Sequence, residues 1–182
     1  MRGTLIAVVG PSGAGKDTLI REALARRPDL VAARRVISRP ADDSTEIFDS
    51  VNPAEFARRR AEGQFALDWQ AHGLSYGIPA AIGQALEAGR HVLANLSRAA
   101  IPVARGRFRP FRALVVTAPA AVLARRLAAR GREDAAAIRA RLERAGYDLP
   151  LGPDVVVIDN GGALEDGIAA FLDALPGQPV SS

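Results

Sequence analysis

The chain has 182 residues, 48% of them hydrophobic and 24% charged, the size and balance of one globular domain with a substantial core. It has no cysteine, which excludes a disulfide framework and thiol chemistry, and no apolar run approaches the length needed to cross a bilayer. The net charge of +4 suits an anionic partner. Aromatic residues are only 5%, however, and no basic stretch is interleaved with stacking side chains, so phosphorylated small molecules are expected rather than nucleic acid or membrane.

Leu5-Ile6-Ala7-Val8-Val9 is a continuous apolar run, the pattern of a parallel strand buried on both faces. Gly10-Pro11-Ser12-Gly13-Ala14-Gly15-Lys16-Asp17-Thr18 follows, and Thr18 to Arg26 reads as a helix. Strand, glycine loop and helix is the arrangement in which backbone N–H groups and a helix dipole converge on a polyphosphate. Lys16 is the only lysine among 24 basic residues. A compact ammonium was kept at the one place where a phosphate-binding loop needs it to reach the β/γ-phosphates. Asp17 stands where Ser or Thr usually touches Mg²⁺. A carboxylate is a hard oxygen ligand, so Asp17 is the first candidate for the metal and Thr18 the second.

Farther along, Arg35 to Ser38 reads as a short strand stopped by Pro40. Asn52-Pro53 opens a helix over 54–61, a cap residue followed by proline in the first turn. Arg58-Arg59-Arg60 on it reads as a solvated face. Phe65–Trp69 and Gly73–Tyr76 suggest a strand pair, and Pro79–Glu87 a helix ended by Gly89. His91–Asn95 and Ala113–Thr117 are further buried strands, with His91 a packing residue and His72 in a glycine-bounded turn, read first as a loop residue and only second as a substrate contact. Pro119–Ala129 and Glu133–Ala145 read as helices, Asp154–Ile158 as the last strand and Leu164–Leu175 as the last helix, with a loose tail over 176–182. The pattern predicts an α/β three-layer P-loop NTPase fold with a parallel sheet. One kinase domain spans 1–175, with a small inserted subdomain over about 40–76 and a helical lid over about 126–145. Because the chain enters its first strand directly, a cytoplasmic location is the expectation.

Arginines cluster between the penultimate and last strands, where small P-loop kinases carry a lid. Arg130 and Arg141 are the candidates to close over a transferring phosphoryl group, since guanidinium forks stabilise its spread charge. No base stands beside a nucleophile. A kinase whose acceptor is already an ionised phosphate needs none, only positioning and charge neutralisation.

These pieces resemble the guanylate kinase family, over nearly the whole chain. Gly10-Pro11-Ser12-Gly13-x-Gly15-Lys16 resembles its opening. Arg35-Val36-Ile37-Ser38-Arg39-Pro40 resembles its acceptor-phosphate segment, and Gly63-Gln64-Phe65 through Gly73-Leu74-Ser75-Tyr76-Gly77 its nucleotide-monophosphate subdomain. Arg126-Leu127-x-x-Arg130-Gly131-Arg132-Glu133 with Arg141-Leu142 resembles its lid. The family's base-reading glutamate is matched by Leu67, a guanine-holding serine by Ile78 and a phosphate-gripping tyrosine by Phe48. Asn95, Ser97 and Arg98 replace acidic residues after the central strand.

Within that superfamily the chain more closely resembles the ribose 1,5-bisphosphate phosphokinases of phosphonate catabolism, through Gly15-Lys16-Asp17-Thr18-Leu19, Ser38-Arg39-Pro40-Ala41, Phe65-Ala66-Leu67-x-Trp69-x-Ala71-His72-Gly73-Leu74-x-Tyr76-Gly77 and Asn95-Leu96-Ser97-Arg98. The resemblance implies ATP- and Mg²⁺-dependent phosphorylation of the 1-phosphate of ribose 1,5-bisphosphate, giving 5-phosphoribosyl 1-diphosphate. Gly10 to Thr18 would cradle ATP, and Arg35, Arg39, Tyr76 and Arg98 would hold the phosphorylated sugar. Guanylate kinase activity and a non-catalytic binding module are the alternatives. The Asp159-Asn160-Gly161-Gly162 stretch is an expected neighbour of adenine by family analogy.

Overall fold

A computed structural model describes residues 2–39, 48–129, 136, 138–139, 142–143 and 148–177. Five parallel strands form the main sheet in the order β2-β7-β1-β8-β9: β1 Leu5–Val9, β2 Leu30–Ala32, β7 His91–Asn95, β8 Phe111–Thr117 and β9 Val155–Asp159. β1 is central and wholly buried, as its unbroken apolar run requires of a strand covered on both faces.

Alternation along the strands divides the core in two. Leu5, Ala7 and Val9 point to one side with Val92, Ala94, Ala113 and Val115, where they meet Ile82 and Leu86 of α3 (Ile82–Glu87) and Ile101 and Ala104 of α4 (Ile101–Arg107). Ile6 and Val8 point to the other side with Leu114, Val116 and Ile158. That side is closed by α1 (Lys16–Arg26), α5 (Ala120–Ala128) and α6 (Leu164–Asp173) through Leu19, Ala23, Leu123, Ile168 and Phe171. The three-layer α/β architecture expected from the alternating pattern is therefore present.

Between β2 and α3 the chain builds a second sheet of four strands in the order β4-β3-β6-β5, from β3 Val36–Ile37, β4 Asp49–Ser50, β5 Phe65–Ala71 and β6 Leu74–Pro79. Helix α2 (Pro53–Ala61) lies within this stretch, and the Asn52 side chain accepts from the Glu55 backbone N–H at 2.8 Å, the cap its sequence announces. Arg58, Arg59 and Arg60 of α2 pair with Glu55, Glu62 and Asp68, a surface charge network. His72 sits at the β5–β6 turn with φ 52° beside Gly73, exposed at the hairpin tip. His91 is buried: Thr4 N donates to its Nδ1 at 3.0 Å and its Nε2 faces Gly177 O at 3.2 Å.

Several boundaries differ from expectation. Val36–Ile37 joins the second sheet, not the main one, and the main sheet's edge is Leu30–Ala32, which sequence reading passed over. Helix α4 was also not anticipated, because Pro102, Gly106 and two arginines mask its apolar face. Pro79 ends β6, and the helix after it begins only at Ile82. The lid expectation falls mostly outside the described residues; of that stretch, 136, 138–139 and 142–143 are helical, with Ile138 buried. No helix among the described residues is long and apolar enough to cross a membrane.

Phe171 is the largest fully buried side chain and fills the layer between the main sheet and its helices. Phe171→Ala is expected to cost about 3–5 kcal/mol in denaturant unfolding, and a loss under about 1 kcal/mol would contradict this description of the core.

Candidate functional site

The loop between β1 and α1 is shaped by residues without side chains. Gly15 caps α1 in the left-handed conformation with φ 93°, and no side-chain oxygen caps that helix end. Gly10 has φ 155°, and a Cβ there would lie 2.2 Å from Val116 O. A residue with a side chain would be strained at both positions. The result is a helix N-terminus without a side-chain cap, the dipole's positive end facing the loop. Lys16, the first residue of α1, folds back so that Nζ donates to Gly10 O at 2.8 Å and Pro11 O at 3.1 Å. The ammonium thus lies against the loop that its motif is meant to complete. Asp17 and Thr18 follow in the first turn, both half-buried, and Asn95 Nδ2 donates to Asp17 Oδ1 at 3.4 Å. The C-terminal end of β7 is thereby brought beside the head of α1.

Two residues that sequence reading had not assigned to the loop hold it from behind. Arg126 of α5 donates through NH1 to Gly13 O at 3.3 Å and through NH2 to Asn160 O at 2.7 Å. Asn160, just after β9, is 2% exposed and donates from Nδ2 to Ala14 O at 2.8 Å. Its environment is cleared to the atom: a Cβ on Gly15 would be 2.5 Å from Nδ2, and one on Gly167 would be 2.1 Å from Oδ1. The polar Asp159-Asn160 pair after an apolar run was the available signal for Asn160, and the i,i+4 spacing to Arg130 that for Arg126.

The second sheet presents a graded face. Leu67 pairs with Ile78 and Trp69 with Tyr76 across β5 and β6, so all four side chains share one side. Leu67 and Ile78 are fully buried and join the core with Leu96 and Ile101. The two residues matched to the family's base-holding glutamate and serine are thus core side chains. Toward the other end the face becomes polar and aromatic. The Trp69 and Tyr76 rings stack at 5.4 Å and 7°, and the Arg35 guanidinium lies 5.2 Å from the Tyr76 centroid. The Arg39 guanidinium lies 4.5 Å from the Phe48 ring. The structure therefore joins Arg35 to Tyr76, and sets Arg39 on the aromatic ring that stands for the family's tyrosine.

Arg98 opens a short 3₁₀ turn after β7, and its NH1 donates to Asp148 O at 2.9 Å. It lines a surface cavity with Ile101, Pro102, Arg105, Leu149 and Leu151, on the side of the segment that returns from the expected lid. Arg130 and Arg141 lie outside the described residues. Among the described residues no cluster of three or more His, Cys, Asp or Glu is gathered as a preformed metal cage.

A parallel sheet carrying a glycine loop and lysine at the end of its central strand defines the P-loop NTPase class. A family model for an AAA domain matches residues 5–147. The fold is that of guanylate kinases: the enzyme from Anaplasma phagocytophilum superposes with a TM-score of 0.68, covering 95% of this chain and 85% of that one at 19% identity. A gluconokinase from Sinorhizobium meliloti 1021 is more distant, at a TM-score of 0.53 and 20% identity over 95% and 91% of the two chains. Sequence narrows the class. The chain is 53% identical to the ribose 1,5-bisphosphate phosphokinase PhnN of Acidiphilium cryptum, over 95% of this chain and 92% of that one. It is 45% identical to that of Agrobacterium fabrum, over 98% and 99%. It also matches the bifunctional ribose 1,5-bisphosphokinase-thymidine phosphorylase of Cupriavidus necator at 47% identity, spanning 95% of this chain but only 29% of that relative's length. The chain belongs to the ribose 1,5-bisphosphate phosphokinase family.

Gly167 gives the site a test of its own. Glycine to alanine inside a helix ordinarily gains about 1 kcal/mol. Here the added methyl collides with the buried Asn160 amide, so Gly167→Ala is expected to lose about 1–3 kcal/mol and lower the melting temperature. A stabilised variant would contradict the packing of Asn160 against α6.

Proposed function

We propose that this chain transfers the γ-phosphoryl group of ATP to the 1-phosphate of ribose 1,5-bisphosphate, forming 5-phosphoribosyl 1-diphosphate. An oxygen of the acceptor phosphate forms the new bond to the γ-phosphorus, the bond from that phosphorus to the β,γ-bridging oxygen breaks, and ADP leaves. The nucleophile is already ionised, so no proton has to be removed and no base is required. The loop from Gly10 to Thr18, with Pro11, Ser12, Gly13, Ala14 and Gly15 supplying its backbone, would hold the polyphosphate. Lys16 would meet the β- and γ-oxygens. Asp17, or Thr18 in its place, offers a hard oxygen ligand at the head of α1, a donor type that fits Mg²⁺. When bound there, the ion supplies charge neutralisation for the β- and γ-phosphates. Arg35, Arg39, Tyr76 and Arg98 would hold the sugar phosphates, and Arg130 and Arg141 would close over the transferring group.

The observation that carries the choice of acceptor is the burial of Leu67 and Ile78. A guanine-reading site needs polar groups aimed at the base edge, and lacking such a matched group costs orders of magnitude in selectivity. Here those positions are apolar and packed into the core, while the adjoining end of the same face carries the Arg35–Tyr76 pair. That favours a phosphate-rich acceptor without a base. The family membership supports the same reading, and a soluble, cytoplasmic kinase acting on a small phosphorylated sugar is its setting.

Coupled measurement of ADP release tests the acceptor directly. With ribose 1,5-bisphosphate, kcat/KM is expected to exceed that with GMP by at least about 100-fold; a preference for GMP would overturn the assignment. Lys16→Ala is expected to lower kcat at least about 100-fold, while changing unfolding free energy by about 1 kcal/mol or less. Turnover near the wild-type level in that variant would remove the lysine from the reaction.

A further inference from the structure

We infer that Asn160 is a positioning residue for the nucleotide: by holding the Ala14 carbonyl, it aims the Gly15 N–H into the phosphate cradle. The inference rests on the reading that the β1–α1 loop takes the nucleotide's polyphosphate, and deepens it by assigning a residue outside the loop motif to the loop's shape.

The peptide linking Ala14 to Gly15 is a planar trans unit, so its C=O and N–H point in opposite directions. Whatever fixes the carbonyl fixes the N–H. Asn160 Nδ2 takes the Ala14 carbonyl at 2.8 Å from a position 146 residues away in the chain, behind the loop. The N–H of Gly15 is thereby turned to the loop's open side, ahead of Lys16. Without that anchor the unit can rotate through the paired torsions flanking it, the more easily because one neighbour is glycine.

Asn160 is itself held on all sides. Its backbone N donates to Thr117 O at 2.8 Å, extending the β8–β9 ladder, and its backbone O receives Arg126 NH2 at 2.7 Å. A Cβ on Gly15 would lie 2.5 Å from its Nδ2 and one on Gly167 2.1 Å from its Oδ1, so both glycines leave room for the amide. The residue is 2% exposed, so water is largely excluded from competing for Ala14 O, and the bond is correspondingly hard to replace. Its Oδ1 has no hydrogen-bond partner among the described residues. A leucine or valine would fill this space without the unpaired Oδ1, but would leave the buried Ala14 carbonyl without its donor. The amide is therefore placed for what its N–H does to the loop, not for what its oxygen gains.

The test separates loop geometry from general stability. ADP and ATP binding would be measured by calorimetry on wild type, Asn160→Ala and Asn160→Asp, at a temperature where circular dichroism shows each folded. Aspartate has the same shape but presents an oxygen to the Ala14 carbonyl. Both variants are expected to bind ADP about tenfold or more weakly, with KM for ATP raised to match and KM for ribose 1,5-bisphosphate within about twofold of wild type. Nucleotide affinity within twofold of wild type in a folded variant would overturn the inference. So would a parallel rise in both KM values, which marks a general loss of structure. If wild type itself fails to bind ADP and ATP, the nucleotide reading of the loop falls and takes this inference with it. A measurement on the wild type needs no variant: the Gly15 amide is expected to gain hydrogen-exchange protection on addition of ADP, and an unmoved Gly15 amide would count against its aim.

Discussion

The peptide backbone of residues 10–16 is the constraint on which the rest of the structure converges, because its N–H groups can serve an anion only if the loop's carbonyls are turned away from it. Four of those carbonyls are held by side chains. Gly10 O and Pro11 O receive Lys16, Gly13 O receives Arg126 and Ala14 O receives Asn160. Those donors come from α1, α5 and the end of β9, so the loop's shape depends on the whole helical layer on that side of the main sheet. The core formed by Ile6, Val8, Leu19, Leu123, Ile158 and Phe171 is what keeps these three elements in register. Packing thus supplies the preorganisation on which a positioning-based phosphoryl transfer relies.

Arginine has two duties in this chain, and the structure separates them. Many of its guanidinium groups close the ends of the fold by donating to backbone carbonyls: Arg27 to Pro176, Arg90 to Leu30, Arg105 to Leu151, Arg107 to Ala66 and Arg112 to Ala174. A rigid fork that stays charged suits this work better than a hydrated ammonium. The positive balance of the sequence therefore speaks less for an anionic partner than its net charge suggests. Arg35 and Arg39, proposed above to meet the sugar phosphates, differ from these in lying over the Tyr76 and Phe48 rings at the polar end of the second sheet.

Legibility in the sequence followed the range of the forces involved. The β1 run, the glycine loop, the start of α1 and the Asn52 cap are local, and their residues announce them within a few positions. The edge strand Leu30–Ala32 is three residues long, too short to show a period, and exists because His91, Val92 and Leu93 lie alongside it. Val36–Ile37 looks like any buried strand; its membership of the second sheet is set by Gly77 and Tyr76, some forty residues away. At the site, Lys16 and its neighbours were legible from the motif. The burial of Leu67 and the reach of Asn160 to Ala14 were not, since both depend on contacts made only when distant segments pack.

In the proposed reaction a phosphate oxygen of a base-less sugar meets the γ-phosphoryl group above this loop. Phosphorus NMR of a reaction containing ATP, Mg²⁺ and ribose 1,5-bisphosphate observes that bond directly. The 1-phosphate resonance should disappear as a coupled diphosphate pair on the sugar grows in step with ADP, while the 5-phosphate resonance persists. An unchanged sugar with inorganic phosphate accumulating beside ADP, or a new signal derived from the 5-phosphate, would contradict it.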